Sequence, residues 1–423
     1  MRAAASRPGG RRWAIFAVMA LASLPAYFHQ VGLATVSGDV AFSLGCDAVA
    51  LGLLGAAFSY TYAAMQVPVG LLVDFLGARR GVTIFLLIAA AGTALFAQAA
   101  GLGMAVAARV LLGVGFAMVA VPFMKLIAIW FPAKDFGRVT ALSYTLGGTG
   151  FWLATSPMAA ASAAMGWRAS FMVLGAFTLT CAILVWVVVR DAPAESCAGA
   201  PASTPVGAAR PGVGRVLRRV VGNRQAWCLA LWFTCQTGFY FSFVGLWGGQ
   251  YAMRVLEMPA THAGWILSLA ACAIMAAPCF TWLLTRVGSR RRLFLLLSAC
   301  SFVLSLPLVI GIEAWHPAAT GALFLLLALC GIGASAELFS AAVALFPVAW
   351  AGTVTGFMNI FPFLGGALLQ QAMGGVIETL GARGLEPAQA FSLAFALYTA
   401  TAAAGAVGAF LYREEGDTVI SAR

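Results

Sequence analysis

The chain has 423 residues, of which 62% are hydrophobic and only 9% charged, and its formal net charge is +11. Its mean hydropathy of +0.94 lies far from the soluble range, which is about half apolar and about a quarter charged. A soluble enzyme or a nucleic-acid-binding domain is therefore excluded, and the excess of cations is answered by anionic lipid headgroups rather than by nucleic acid.

Runs of about 20 residues with almost no charge predict twelve membrane spans, near 13–35, 48–73, 81–101, 104–129, 138–160, 168–189, 226–252, 262–286, 291–312, 318–343, 352–378 and 388–411. The first follows Arg2, Arg7, Arg11 and Arg12, a basic start that a cleaved signal peptide also has. A repeat argues for keeping it. Tyr27, Phe28, Val31, Gly32 and Leu33 recur as Tyr240, Phe241, Val244, Gly245 and Leu246, a constant offset of 213 residues. Gly113 to Gly115 against Gly331 to Gly333, and Gly137 to Thr140 against Gly352 to Thr355, follow at nearly that offset. The series marks a duplicated architecture, with a first half at 1–189, a linker at 190–225 and a second half at 226–423.

Of the 25 basic residues, twenty fall on the side of the termini, three (Arg168, Arg254, Arg383) on the other, and Arg109 and Lys125 within a span. This asymmetry predicts cytoplasmic termini. The linker is rich in Ala, Pro, Gly and Arg, and its stretch Val213 to Val221 reads either as plain linker or as a helix along the membrane surface. The nine cysteines lack any CxxC spacing and read as small buried hydrophobes. The three histidines are too scattered for a metal site, and no cofactor motif is present.

After span two comes Gly70-x3-Asp74-x2-Gly77-x-Arg79-Arg80, and span four carries Arg109-x3-Gly113-x-Gly115. Both resemble signatures of the major facilitator superfamily, and the resemblance covers essentially the whole chain. It implies an all-α membrane fold of two pseudo-symmetric six-helix bundles around a central cavity, working by rocker-switch alternating access, with helices one, four, seven and ten along the path. It also implies a cytoplasmic gate at Gly70, Asp74, Gly77, Arg79 and Arg80, with Lys125 as a further gate or anchor. The second copy of the signature has Thr285 in place of Asp74, so the gate is expected to be asymmetric. Span five has Gly147-Gly148-Thr149-Gly150 and Pro157 where many proton-driven drug exporters have Gly-Pro-x-x-Gly-Gly. Its glycines, and Gly365 and Gly366 at the matching site, suit close helix contact.

Candidate substrate residues follow from depth. Tyr27, His29 and Gln30 sit midway along span one and Tyr240 midway along span seven, with Gln236 and Asn359 as further neutral polar groups. Arg109 costs about 2.5–3.5 kcal/mol to insert and is expected to face a cavity or an anion. An ordinary aromatic contact for the tyrosines, and a packing role for Arg109, are the competing readings. His29 changes charge near neutral pH and Glu337 is an acid within span ten, so both are proton-carrier candidates; Glu337 is also placed to pair with Lys125. Lys125 lies about 160° around an ideal helix from Arg109, so the two do not share a face.

The resemblance disfavours organophosphate and nitrate, because the arginines that hold them in such transporters are missing here. The expected function is a secondary transporter, acting as a monomer in a bacterial inner membrane, for a small carboxylate, amino acid or short peptide, driven by protons. Efflux of amphipathic compounds is the alternative.

Overall fold

A computed structural model describes residues 8–132, 135–192, 213–312, 315–347 and 350–414. The chain runs through α1 (Pro8–Leu44), α2 (Ala48–Ala97), α3 (Leu102–Trp130), α4 (Phe136–Leu153) and α5 (Ser156–Val188). A short helix in the linker, α6 (Val213–Val221), follows. The second half contains α7 (Arg224–Ser242), α8 (Gly248–Arg254), α9 (Ala260–Ala271), α10 (Ala277–Val287), α11 (Arg290–Ile310), α12 (Pro317–Ile332), α13 (Ser335–Ala344), α14 (Ala351–Ala382) and α15 (Pro387–Leu411).

Eleven apolar helical segments among the described residues are long enough to cross a bilayer. One of them, Arg138–Val188, has 51 residues, about 75 Å of helix against a hydrocarbon core of about 30 Å. Gly166 interrupts it at φ 81°, so it makes two crossings and the total is twelve. Gly77 at φ 74° divides α2 in the same way. An even number of crossings returns the chain to its starting side, here termed the terminal face; the opposite side is the far face.

Several crossings are broken, each for a local reason. Pro157 in the first turn of α5 lacks the N–H that would continue α4. Span seven passes from α7 to α8 through a wide turn at Phe243–Trp247, and span eight from α9 to α10 through a tight turn at Cys272–Ala276 ahead of Pro278. Span ten breaks between α12 and α13 at Gly333, where a Cβ would meet the Phe280 ring at 2.1 Å.

Glycines set the spacing between helices, as their placement in the sequence predicts. A Cβ at Gly113 would meet the Phe58 carbonyl at 2.6 Å and one at Gly115 would meet Ala89 at 2.6 Å. Those at Gly147 and Gly150 would strike Tyr27 and the Leu24 carbonyl at 2.3 and 2.5 Å, so α4 lies hard against α1. Gly365 does the same for α14 against Thr234 of α7, at 2.2 Å. α6 buries Val216 and Val220 in an apolar cluster with Phe233, Phe280, Leu338 and Met358 at the terminal end of the second half, a core separate from the main one. The rest of the linker, residues 193–212, lies outside the described residues.

Candidate functional site

Among the described residues, the halves meet chiefly along α1 with the span-seven helix, α2 with α14, and α4 and α5 with span eight. Where α1 meets the span-seven helix, Gln250 donates to Ser37 Oγ at 2.5 Å, and Gly249 and Gly245 lie against the Ala34 and Gln30 carbonyls. Along α2 and α14 the Ala48 N–H donates to Glu378 at 3.1 Å, Tyr60 to Gln371 at 2.7 Å, and Asn359 Nδ2 to Gln66 Oε1 at 2.8 Å. Between α5 and α9, Ser268 Oγ lies 2.6 Å from Thr155 Oγ1 and 2.9 Å from Ser156 Oγ. Gly148 of α4 then reaches Ile274 and Met275.

Behind these contacts lies a continuous file of rings that crosses from one half to the other. Tyr27 meets Phe151 at 5.0 Å, Phe151 meets Tyr240 at 6.3 Å, Tyr240 meets Phe241 at 5.4 Å, Phe241 stacks on Phe363 at 4.7 Å, and Phe363 meets Tyr62 at 4.3 Å. Tyr27, Tyr62 and Tyr144, from three different spans, stand close enough for their hydroxyls to interact electrostatically. Gln66 donates through Nε2 to the Tyr62 carbonyl at 3.2 Å and accepts at Oε1 from Asn359. Tyr144 is 43% exposed. Three phenols and two amides thus form an uncharged polar cluster set against an aromatic wall, a typical composition for a small-molecule site.

The structure gathers some of the predicted site residues and separates others. Tyr27 and Asn359 belong to the cluster, and Tyr240 to the wall beside it, fully buried with no hydrogen-bond partner for its hydroxyl among the described residues. Gln30 is 9% exposed, at the point where α1 meets Gly245. His29 turns into the first half instead. Its Nε2 lies 3.2 Å from Thr93 Oγ1, and Phe116 and Phe171 enclose the ring at 5.2 and 5.6 Å. The Thr93 hydroxyl donates to Ala89, so it accepts from His29 and assigns the imidazole proton to Nε2. Gln236 likewise turns into the second half, bonded to Ser298 and Ser301 at 3.1 and 2.8 Å.

Arg109 is buried between α1, α2 and α3. Its Nε donates to the Leu54 carbonyl at 3.0 Å and its Nη1 to the His29 carbonyl at 3.1 Å, while its guanidinium lies 4.9 Å from the centre of the Phe58 ring. Phe58 stacks on Tyr62 at 5.8 Å, so one aromatic layer separates the cation from the cluster. At about 10 Å and an effective dielectric near 20, a unit charge still favours an anion by about 2 kcal/mol. Tyr62, Gln66 and Tyr144 belong to the site although the sequence shows them only as members of a larger polar set. The residues flanking each of them carry no signal for the direction they face.

At the terminal face, Gly77 permits the turn of the signature, and the Arg79 N–H donates to Asp191 at 3.0 Å. The Arg79 guanidinium lies over Trp186 at 4.3 Å; Arg80 is exposed, and Gly70 has open space where a Cβ would stand. The Asp74 side chain lies outside the described residues. Lys125 is half-buried and engaged by its neighbours. Glu337 accepts from Thr281 at 2.7 Å and lies 4.0 Å from Arg290, so its contacts are at the terminal end of its own half and not beside the cluster.

Twelve crossings, two like halves and a polar cluster where the halves meet define a polytopic helical membrane protein of the two-bundle class. Residues 14–370 match the family model described as Major Facilitator Superfamily. The chain belongs to that family. It is similar to the probable sulfoacetate transporter of Cupriavidus necator (28% identity over 182 residues, 43% of this chain and 42% of that one). It is also similar to the galacturonate transporter of Dickeya chrysanthemi (28% over 239 residues, 52% and 66%) and the hexuronate transporter of Escherichia coli K12 (26% over 236 residues, 52% and 53%). The chain spans about half the length of these curated relatives, between 42% and 66%. In fold it is similar to a bacterial homologue of the human lysosomal transporter Spinster in an inward-facing, unoccupied conformation, with a TM-score of 0.74 and 16% identity over 98% of each chain.

Proposed function

We propose that this chain is a secondary transporter that carries a small hydroxylated organic acid by alternating access. The observation that carries the reading is the phenol and amide cluster at the junction of the halves, with the buried Arg109 one ring behind it. Phenols and amides supply donors and acceptors for hydroxyl groups, and the cation favours a negatively charged solute without gripping it. The names of the uronate transporters among the relatives agree with both the hydroxyl groups and the charge, and that of the sulfoacetate transporter with the charge alone. The orientation that fits the basic residues puts the terminal face in the cytoplasm of a bacterial cell, and one chain supplies both walls of the site, so a monomer suffices.

The test is uptake of labelled galacturonate, galactonate and sulfoacetate into proteoliposomes, with and without an inward proton gradient. Accumulation of one of these, competed by the others and weakened in Tyr144→Phe, is the expected result. Failure of all three to enter or to exchange overturns the organic-acid reading, and uptake indifferent to the gradient removes proton coupling. The aromatic file favours a second reading, export of amphipathic compounds; it predicts that expression raises resistance to lipophilic cations.

A further inference from the structure

The terminal end of the second half is built differently from that of the first. Spans eight and ten are both broken near mid-membrane, which leaves α10 and α13 as separate half-helices on the terminal side. Phe280 of α10 fills the notch left by Gly333 at the break above α13, and both half-helices belong to the separate apolar cluster at that end. In the first half, span four is one helix, α3, with a single non-helical residue at Met118.

One side chain joins the two half-helices through polar contacts. Glu337 of α13 is 7% exposed; one carboxylate oxygen accepts from Thr281 of α10 at 2.7 Å, and the other lies 4.0 Å from Nε of Arg290 at the start of α11. Arg290 also donates through Nη2 to Ser340 of α13 at 3.0 Å. Its Nε is buried with no hydrogen bond among the described residues, and the 4.0 Å separation is beyond hydrogen-bond reach. In this conformer the pair is therefore incomplete, and a shift of about 1 Å between α13 and α11 would close it.

Comparison of the two signatures gives this arrangement a meaning. In each half an acidic residue just past the sixth span takes the backbone N–H that follows the turn glycine: Asp191 from Arg79 at 3.0 Å, and Glu414 from Arg290 at 2.9 Å. That contact is common to both halves. What the second copy lacks is an acid at Thr285, the position that corresponds to Asp74. Glu337 brings a carboxylate to that same turn from a neighbouring helix.

We propose that Glu337 is the latch of the second half: it replaces in space the acid missing from the second signature, binds α10 and α13 into one moving piece, and does not carry the transported proton. The inference rests on the alternating-access reading but not on the identity of the solute. Its first test therefore needs no substrate. Spin labels at Trp282 on α10 and Ala344 on α13, both exposed, report the distance between the half-helices in nanodiscs. A narrow distribution is expected in the parent and in Glu337→Asp, and a broadened one in Glu337→Ala and in Thr281→Val, which leaves the carboxylate intact.

The second test compares gradient-driven uptake with counterflow, using whichever of galacturonate, galactonate or sulfoacetate the parent carries. A latch predicts that Glu337→Ala slows both modes and that the pH profile keeps its shape. Unchanged distance distributions, or loss of gradient-driven uptake with counterflow intact in Glu337→Ala alone, overturn the proposal. If the parent carries none of the three, the organic-acid reading fails while the spin-label result still decides the latch.

Discussion

The two lateral junctions between the halves are the same pair of spans exchanged between the repeats, two with eleven and eight with five, yet they are closed to different extents. The α2–α14 junction is closed from Ala48 to Gln66, about 27 Å of helix. It takes in Gly52 and Gly55 against Gln370, Tyr60 against Gln371 and Tyr62 against Phe363. The junction of α4 and α5 with α9 and the turn that follows it is closed from Ala159 to Gly148, about 17 Å of helix, and beyond it Tyr144 is 43% exposed. If the halves move against each other, the longer-closed junction is expected to act as the hinge line and the shorter one as the edge that parts. Tyr144, on the side of the shorter junction, is the exposed member of the polar cluster.

The largest effect that breaks this comparison is expected at Gly52, where a Cβ would lie 2.7 Å from the Gln370 carbonyl. Gly52→Val should wedge the hinge line apart and cost about 1–3 kcal/mol, read as a lowered melting temperature in detergent with loss of the monodisperse species. Next comes the parting edge. Thr155→Ala combined with Ser268→Ala removes the hydroxyl contacts of α5 with α9, worth about 1–2 kcal/mol. This should raise the labelling of an engineered far-face cysteine by roughly tenfold without loss of folded protein. An unchanged labelling rate would show that the edge does not part.

A smaller effect is expected within the cluster. Tyr144→Phe removes one phenol from the open side and should raise the KM of a carried acid roughly fivefold with little change in kcat, from the loss of one hydrogen bond of about 1 kcal/mol. The smallest is at Cys46, in the far-face turn that leads into the hinge line. Burial, and then Asp47, push its thiol above its ordinary value. Because the thiolate is the reactive form, maleimide labelling of a variant with Cys46 as its only cysteine should be slow at pH 7.5 and keep rising past pH 9. If α2–α14 is a hinge, added substrate leaves that rate unchanged.

Much of the fold was legible because charge is excluded from hydrocarbon: spans, turns and the duplication all follow from where Arg, Lys, Asp and Glu are absent. The glycines at 113, 115, 147 and 365 could also be read, since only a missing Cβ allows helices so close. The direction of a polar side chain within a span could not. A membrane helix is apolar towards lipid and apolar towards its neighbours, so periodicity does not distinguish the two faces. His29 and Gln236 thus resemble Tyr27 and Asn359 in sequence yet turn into opposite bundles. Glu337 was legible as an isolated acid, but its partners Thr281 and Arg290 come from α10 and the start of α11, contacts that only the packing of these helices against α13 creates.

One contact records how the halves came to face each other. Ser37 and Gln250, joined at 2.5 Å, are 213 residues apart, which is the offset of the repeat itself. The bond therefore pairs a residue with its own counterpart in the repeat, as a self-complementary contact does in a symmetric dimer. Between two identical chains the same side chain would have to stand on both sides of such a bond. Because the halves differ in sequence, a short hydroxyl accepts here from a longer amide, a pairing that a strictly symmetric dimer cannot place on its axis.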